Sequence, residues 1–495
     1  MSVLALDPTV LDVPPLSVVG ADLHVPLVTG GTVPYANLDH AASAPCLTAV
    51  RDAVDRALPW YASVHRGAGF ASQVSTRLYE RCRDAVRRFV GARPADAVVF
   101  CRNTTDGMNL LAHALPRGAG VVVFETEHHA SLLPWHRRAA RVVRLAAPES
   151  PDAALGAADR ALAGLPVGPR LLVVTGASNV TGELWPVREL AEVARRNGAR
   201  TVLDAAQLAP HRRIDAGALG VEWVVFSGHK LYAPYGAGVV VGRADWLRAA
   251  PPYLVGGGAT RRVTDTGVSW AGLPERQEAG TPNVLGAVAL AAACEAIGPA
   301  FDAVAAHEAA LLGRLRDGLG AIPGVRELTL WGARHPRIGV VAFTVSGAAG
   351  PSSSAGTAGA AGAAGAAGWE PGRLAAALSA EYGVGVRDGA FCAHPFVAAL
   401  AGPGQAAVRA SLGLGSTAEH VDRLVAAVRT LTIDGPAWAY AERDGRWAPY
   451  PDAPVAGGAP GLRRPRAEPP VLSWSPAPRR RPTFVIVAEF RRFGP

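Results

Sequence analysis

The chain contains a single lysine. Of its 49 basic residues 48 are arginine, and the exception is Lys230, in the run Phe226-Ser227-Gly228-His229-Lys230-Leu231-Tyr232. Arginine serves as well as lysine for surface charge, but it has no primary amine and cannot form an imine with an aldehyde. A lysine that survives alone is either an accident of the surface or an amine that chemistry requires, and the surrounding residues decide between the two. Asp204 closes the run Thr201-Val202-Leu203-Asp204, 26 residues before Lys230, and Gln207 follows it by three. A lone Asp at a strand end is more often a helix cap; the joint spacing with Gln207 and Lys230 argues for a shared crevice.

An amine, a buried carboxylate, a phosphate cradle and a flat cover are what pyridoxal 5'-phosphate (PLP) needs. Lys230 offers the amine for a Schiff base, and Asp204 offers the carboxylate that keeps the pyridine nitrogen protonated. The run Asn103-Thr104-Thr105-Asp106-Gly107 opens a predicted helix, and its N–H groups and hydroxyls suit a phosphate. Taken alone it is also an ordinary N-cap. His128, in Glu127-His128-His129-Ala130, follows the apolar run Gly120–Phe124 and can cover the ring. A single His there would usually be structural.

These residues need a scaffold that delivers them to one place. Short apolar runs at Ala97–Cys101, Gly120–Phe124, Leu171–Thr175, Thr201–Asp204, Trp223–Ser227 and Ala237–Val241 read as strands alternating with helices such as Pro186–Asn197. The pattern predicts an α/β fold with a mostly parallel central sheet, whose ligands sit at the carboxyl ends of the strands. Residues 1–30 read as an irregular arm and 31–300 as the large domain. Residues 301–434 read as a smaller C-terminal α+β domain, with helix 301–318, strand Gly339–Val345, helix 371–381 and helix 417–431. A Gly/Ala-rich stretch at 347–368 interrupts it and reads as a flexible insert. Residues 435–495 are a Pro/Arg-rich tail, expected to be disordered after about residue 456.

At 495 residues the chain is long enough for more than one domain, and 49 % of it is hydrophobic. The net charge of +8 does not indicate nucleic acid. Residues 461–495 hold eight arginines against two glutamates, so +6 of the charge is confined to the tail. No nucleic-acid-binding signature accompanies it. Five cysteines without a CxxC pair argue against a disulfide framework or a structural zinc site and fit a reducing cytoplasm. There is no signal-peptide pattern, and the most apolar run, Val284–Ala293, is too short to predict a membrane span.

The motifs, taken in order, resemble those of class V aminotransferase-fold PLP proteins (fold type I). They are most similar to the group II (SufS-type) cysteine desulfurase and selenocysteine lyase branch. The resemblance runs from about Asn37 to Leu431. It passes through Asn37-Leu38-Asp39-His40-Ala41-Ala42, Val64-His65-Arg66-Gly67, Glu127-His128-His129-Ala130, Ser178-Asn179-Val180-Thr181-Gly182, Asp204-Ala205-Ala206-Gln207, Ser227-Gly228-His229-Lys230, Glu278-Ala279-Gly280-Thr281-Pro282-Asn283 and Val408-Arg409-Ala410-Ser411. It implies that Lys230 forms the Schiff base and then moves the proton. Asp204 would pair with the ring nitrogen, Gln207 contact the ring hydroxyl and His128 stack on the ring. Thr104, Thr105, Ser227 and His229 would hold the phosphate, with Thr281 reaching it from a second subunit, so that the enzyme is a homodimer. Arg409, helped by Asn179 and Arg387, would grip the carboxylate of an amino-acid substrate.

The branch carries its persulfide-forming cysteine in an Arg-x-Gly-x-x-Cys-Ala pattern. Arg387-Asp388-Gly389-Ala390-Phe391-Cys392-Ala393-His394-Pro395 matches it, with Cys392 in that position. Two histidines that often precede this cysteine are here Ala390 and Phe391. A usual Gly-Gly-Gly-Glu-Met run is here Gly256-Gly257-Gly258-Ala259-Thr260. The resemblance implies a desulfurase that converts L-cysteine to L-alanine, leaves a persulfide on Cys392 and passes sulfur to an acceptor protein. A carbon–sulfur lyase, aminotransferase or epimerase on the same fold is the alternative. A third reading, a non-catalytic binding protein, sits poorly with the complete cofactor set.

Overall fold

The computed structural model describes residues 14–346 and 369–451. The Gly/Ala insert and the basic tail after residue 451 lie outside the described residues.

A seven-stranded sheet forms the centre. Its spatial order is Ala97–Cys101, Gly238–Gly242, Trp223–Ser227, Arg200–Asp204, Arg170–Thr175, Gly120–Phe124, Arg141–Leu145. Only Gly238–Gly242 runs against the others. The strands are near-continuous apolar runs because both faces are covered. Side chains alternate between two cores: Val121 and Val123 enter one, Val122 and Phe124 the other. All four are fully buried, worth about 1.5–3 kcal/mol for each such side chain. The parallel strands therefore end on one edge of the sheet, and Asn103, His128, Asn179, Asp204 and Lys230 all lie at or just beyond those ends.

Two close approaches fix that edge. Gly238 pairs with both Cys101 and Ser227, and a Cβ there would stand 2.6 Å from the Cα of Asn103. Gly107 lets the helix Thr104–His113 lie on the sheet, since a Cβ would meet Val225 at 2.7 Å and Val240 at 2.9 Å. The helix N-terminus is thereby held at the strand ends. Its N-cap is Asn103, whose side chain accepts from the Asp106 N–H at 3.0 Å.

A second, antiparallel sheet has the order Val325–Glu327, Val340–Val345, Ala407–Ser411, Arg387–Gly389. It packs on the helices Pro371–Tyr382 and Ala418–Asp434. Val384–Gly385 pairs in parallel with Ala36–Asn37, and Asp39 bridges to Ser411. The motif at 37–42 is thus laid along this second sheet.

Three elements differ from expectation. The helix expected at 301–318 is continuous from Val284 to Gly320, through Pro299. Ile297, Phe301 and Val304 are all buried in the large core, and this packing outweighs a proline cost of about 3 kcal/mol. Among the described residues this is the one helix long and apolar enough to cross a membrane, and 61 % of its most apolar stretch is buried inside the protein. Within the arm, His24–Pro26 pairs with Thr32–Pro34. Finally, Tyr440–Arg443 and Arg446–Pro449 form a hairpin after the last helix. Buried Glu381 accepts hydrogen bonds from the N–H groups of Ala437 (2.9 Å) and Trp438 (3.1 Å) and from the Tyr440 hydroxyl (2.9 Å).

Candidate active site

One cavity of about 230 Å³ is lined by Thr104, Thr105, His128, Asn179, Asp204, Gln207, Ser227, His229, Lys230, Arg387, Cys392 and Arg409. Every site residue anticipated from the sequence is there except Thr281, which is exposed on the loop before the helix Val284–Gly320.

Lys230 sits in a single helical turn directly after the strand Trp223–Ser227. Burial lowers its amine from 10.5 to about 8; Asp204 opposes the shift and Arg409 adds to it. The unprotonated amine needed to attack an aldehyde is therefore accessible near neutrality. Asp204 is 4 % exposed. It accepts from Ser131 Oγ at 2.5 Å and from the Ala206 N–H at 2.9 Å. Both donors are neutral; burial raises its carboxyl, and the two hydrogen bonds and then the Lys230 charge oppose that shift. A protonated ring nitrogen would supply a further cation.

At the other end Ser227 Oγ bonds both the Thr104 N–H and the Thr104 hydroxyl, at 2.7 Å each. This pair of hydroxyls at a helix N-terminus, with Thr105 and His229 beside it, has the donor chemistry of a phosphate cradle. His229 is lowered to about 4 by burial and then by Lys230, so it is neutral. His128 is lowered to about 3 by burial, Lys230, His129 and Arg409. Its Nδ1 accepts from the Ala130 N–H at 3.0 Å. A neutral, fixed imidazole can lie over an aromatic ring without adding charge. Gln207 is anchored through Nε2 to the Ala41 carbonyl at 2.8 Å. The residues present fit PLP.

Arg409 Nη1 donates to the Asn179 carbonyl at 2.9 Å and Nη2 to Asp39 Oδ1 at 3.2 Å. Its buried Nε has no acceptor, and such a donor suits an incoming carboxylate. The Asn179 side chain does not share that role in this structure: Nδ2 donates to the Phe391 carbonyl at 2.7 Å and holds the Cys392 loop.

Ser131, Asp39 and Glu127 carry parts of the site that no role was assigned to from sequence. Glu127 is fully buried and accepts from the Thr175 N–H at 2.7 Å; burial and the Asp204 carboxylate hold its own carboxyl well above the usual range. The motifs around Asp39 and Glu127 were visible signals without a partner. Ser131 had none, because only the turn His129–Leu132 brings it to Asp204.

Cavity and sheet together define a fold type I enzyme that uses PLP. The chain belongs to the class-V aminotransferase family, whose profile matches residues 36–424. Within that family it is similar to proteins named cysteine desulfurase. One from an Enterobacter species is 36 % identical over 428 residues, covering 84 % of this chain and 98 % of that protein. One from Dickeya dadantii is 35 % identical over 427 residues, covering 84 % and 97 %. Among solved structures, a cysteine desulfurase from Thermococcus onnurineus superposes with a TM-score of 0.69 at 30 % identity, covering 80 % of this chain and 94 % of the other. The cysteine desulfurase CsdA from Escherichia coli gives 0.64 at 30 %, with the same coverage.

Proposed function

We propose that this protein is a cysteine desulfurase of the group II branch, which converts L-cysteine to L-alanine and leaves a persulfide on Cys392. Cys392 carries the proposal: it is the exposed one of five free cysteines, and it lines the same cavity as Lys230 and Arg409. The other thiols are unsuited to attack. Burial raises Cys46, Cys101 and Cys294, and pushes Cys82 up to about 12.

PLP bound here would supply an aldehyde for the substrate amine and an electron sink for the bonds at Cα. Arg409 holds the substrate carboxylate, and its Nε is the free donor that takes up one oxygen. Lys230 would anchor the cofactor and, with its amine free, would remove the α-proton of the substrate. Asp204 would keep the ring nitrogen protonated, and His128 would cover the ring and exclude water. Cys392 Sγ, as thiolate, forms an S–S bond to the substrate sulfur. The Cβ–S bond breaks, Cβ keeps the electron pair and takes a proton, Lys230 returns a proton to Cα, and alanine leaves.

The same reading makes the enzyme a homodimer in which Thr281 completes the phosphate site of a second copy. It also gives the persulfide a sulfur-acceptor protein, in a cytoplasm that keeps thiols reduced. A carbon–sulfur lyase is the competing reading, because Ala390 and Phe391 place no polar side chain before Cys392. Incubation of the PLP-loaded protein with L-cysteine and a reductant separates the two. Alanine and sulfide in equal amounts support the desulfurase; pyruvate and ammonia assign the lyase.

A further inference from the structure

A buried ion pair closes one edge of the central sheet. The strand Ala97–Cys101 is the last in the sheet and, among the described residues, pairs only with Gly238–Gly242. On its open side the Val98 carbonyl accepts from Arg83 Nη1 at 2.9 Å, and the Phe100 N–H donates to Glu278 Oε1 at 2.6 Å. Arg83 and Glu278 are joined by two hydrogen bonds of 2.6 Å, and their side chains are 5 % and 7 % exposed. The pair thus does for this edge what a neighbouring strand would do. Arg83 comes from the helix Phe70–Phe89, and so does Tyr79, whose hydroxyl donates to Glu278 Oε2 at 2.8 Å. Together, Arg83, Tyr79 and the Phe100 N–H hold both oxygens of one carboxylate.

That carboxylate begins the loop Glu278–Asn283, which carries the exposed Thr281. The loop is pinned again further on. Gly280, at φ +91°, donates its N–H to the Gly257 carbonyl at 2.7 Å, and its own carbonyl accepts from Arg66 Nη2 at 3.2 Å. Asn283 Nδ2 donates to the Tyr235 carbonyl at 2.6 Å. None of these bonds uses the Thr281 hydroxyl. We propose that Glu278 is a positioning residue for the cofactor phosphate: braced by Arg83 and Tyr79 against the sheet edge, it holds the loop so that the Thr281 hydroxyl reaches the PLP phosphate of a second copy of the chain. The proposal rests on the reading of Thr281 as a residue that crosses between copies. A mobile threonine would lose conformational freedom on meeting the phosphate, and that loss would weaken binding. A loop fixed in advance through Glu278 has already lost that freedom.

Equilibrium binding of PLP to the apoprotein, followed by absorbance and paired with sedimentation of each variant, provides the test. Thr281→Ala is expected to weaken PLP binding about tenfold, the loss of one hydrogen bond to a charged group. Glu278→Gln, which loosens the loop, should weaken it by a similar factor, and Tyr79→Phe, which removes one hydrogen bond and keeps the ring packing, by about threefold. Either change added to Thr281→Ala should cause no further loss, because the loop then has no hydroxyl to misplace. Losses that multiply would locate the effect of Glu278 in its own strand and overturn the proposal. Unchanged binding in Glu278→Gln and Tyr79→Phe would overturn it too, as would a variant that sediments as a monomer, since Glu278 would then serve assembly. If Glu278→Gln does not fold, Tyr79→Phe alone decides. If the wild type is a monomer, or Thr281→Ala binds PLP as the wild type does, the crossing reading fails and the proposal falls with it. If Thr281→Ala weakens binding and the Glu278 and Tyr79 variants do not, the crossing stands and the role of Glu278 is refuted. No cysteine turnover enters the measurement, so its result is independent of the desulfurase reading.

Discussion

The backbone N–H of His129 donates to the carbonyl oxygen of Cys392 at 2.8 Å. This bond ties the loop that carries His128 to the loop that carries Cys392, the proposed nucleophile. The second loop is strained: Phe391 and Cys392 have φ of +52° and +56°, conformations that cost non-glycine residues about 1–3 kcal/mol each. The His129 bond, the Asn179 bond to Phe391, and a stacked imidazole pair hold it. His129 and His394 lie with ring centroids 5.0 Å apart and planes 8° from parallel, with His394 Nδ1 3.3 Å from His129 Nε2.

His394→Ala removes the ring pair and leaves the cofactor residues alone. The expected result is an unchanged PLP absorbance with kcat for cysteine reduced by about two- to tenfold, the equivalent of a 0.5–1.5 kcal/mol contact. An unchanged kcat would show that the backbone bond alone holds the loop.

Lys230→Arg is expected to fold, because Arg keeps the charge, and to lose the Schiff base, because Arg has no reactive amine. The wild type, reconstituted with PLP, should be yellow, lose that colour with borohydride and carry the label on Lys230 by mass spectrometry. A label at any other position would remove Lys230 from its role.

The lowered amine of Lys230 has a definite pH signature. Free amine is the reactive form, and with a value of about 8 its fraction rises about tenfold per pH unit below that point and then levels off. Capture of PLP by the apoprotein, followed by stopped-flow absorbance, should follow the same curve. A rate that continues to climb toward pH 10 would indicate an unshifted lysine.

Much of this site was legible because its residues sit at the ends of buried strands, where local pattern and function coincide. Ala97–Cys101, Gly120–Phe124 and Trp223–Ser227 form as their apolar runs and flanking turn residues suggest. Lys230 and Asp204 follow directly from such ends. Less legible was whatever depends on a partner far along the chain. Asp39 and Arg409 meet across a separation of 370 residues, and Ser131 reaches Asp204 across 73; no local period encodes either. The arm hairpin did carry a signal, since Gly30 and Gly31, both at positive φ, mark its turn. The uninterrupted helix through Pro299 shows tertiary packing overriding a residue that local rules treat as a stop.

Glu381 links the hairpin after residue 435 to the helix Pro371–Tyr382, which leads through the strand Arg387–Gly389 to the Cys392 loop. Glu381→Ala leaves the N–H groups of Ala437 and Trp438 without their acceptor, a loss of about 1–3 kcal/mol. Amide hydrogen exchange at these two positions should accelerate by about tenfold or more, while exchange in the central sheet stays unchanged. Equal protection in the variant would mean that the hairpin holds itself in place.

The central claim is that substrate sulfur passes to Cys392, and intact-protein mass spectrometry after one turnover with L-cysteine, without reductant, tests it most directly. The wild type should become heavier by one sulfur atom, with the added atom mapped to the peptide that contains Cys392, as one equivalent of alanine appears. Cys392→Ser should keep the PLP absorbance and bind cysteine, yet gain no sulfur and release no alanine. Alanine formed by Cys392→Ser at the wild-type rate, or added sulfur on a peptide with another cysteine, would contradict the assignment.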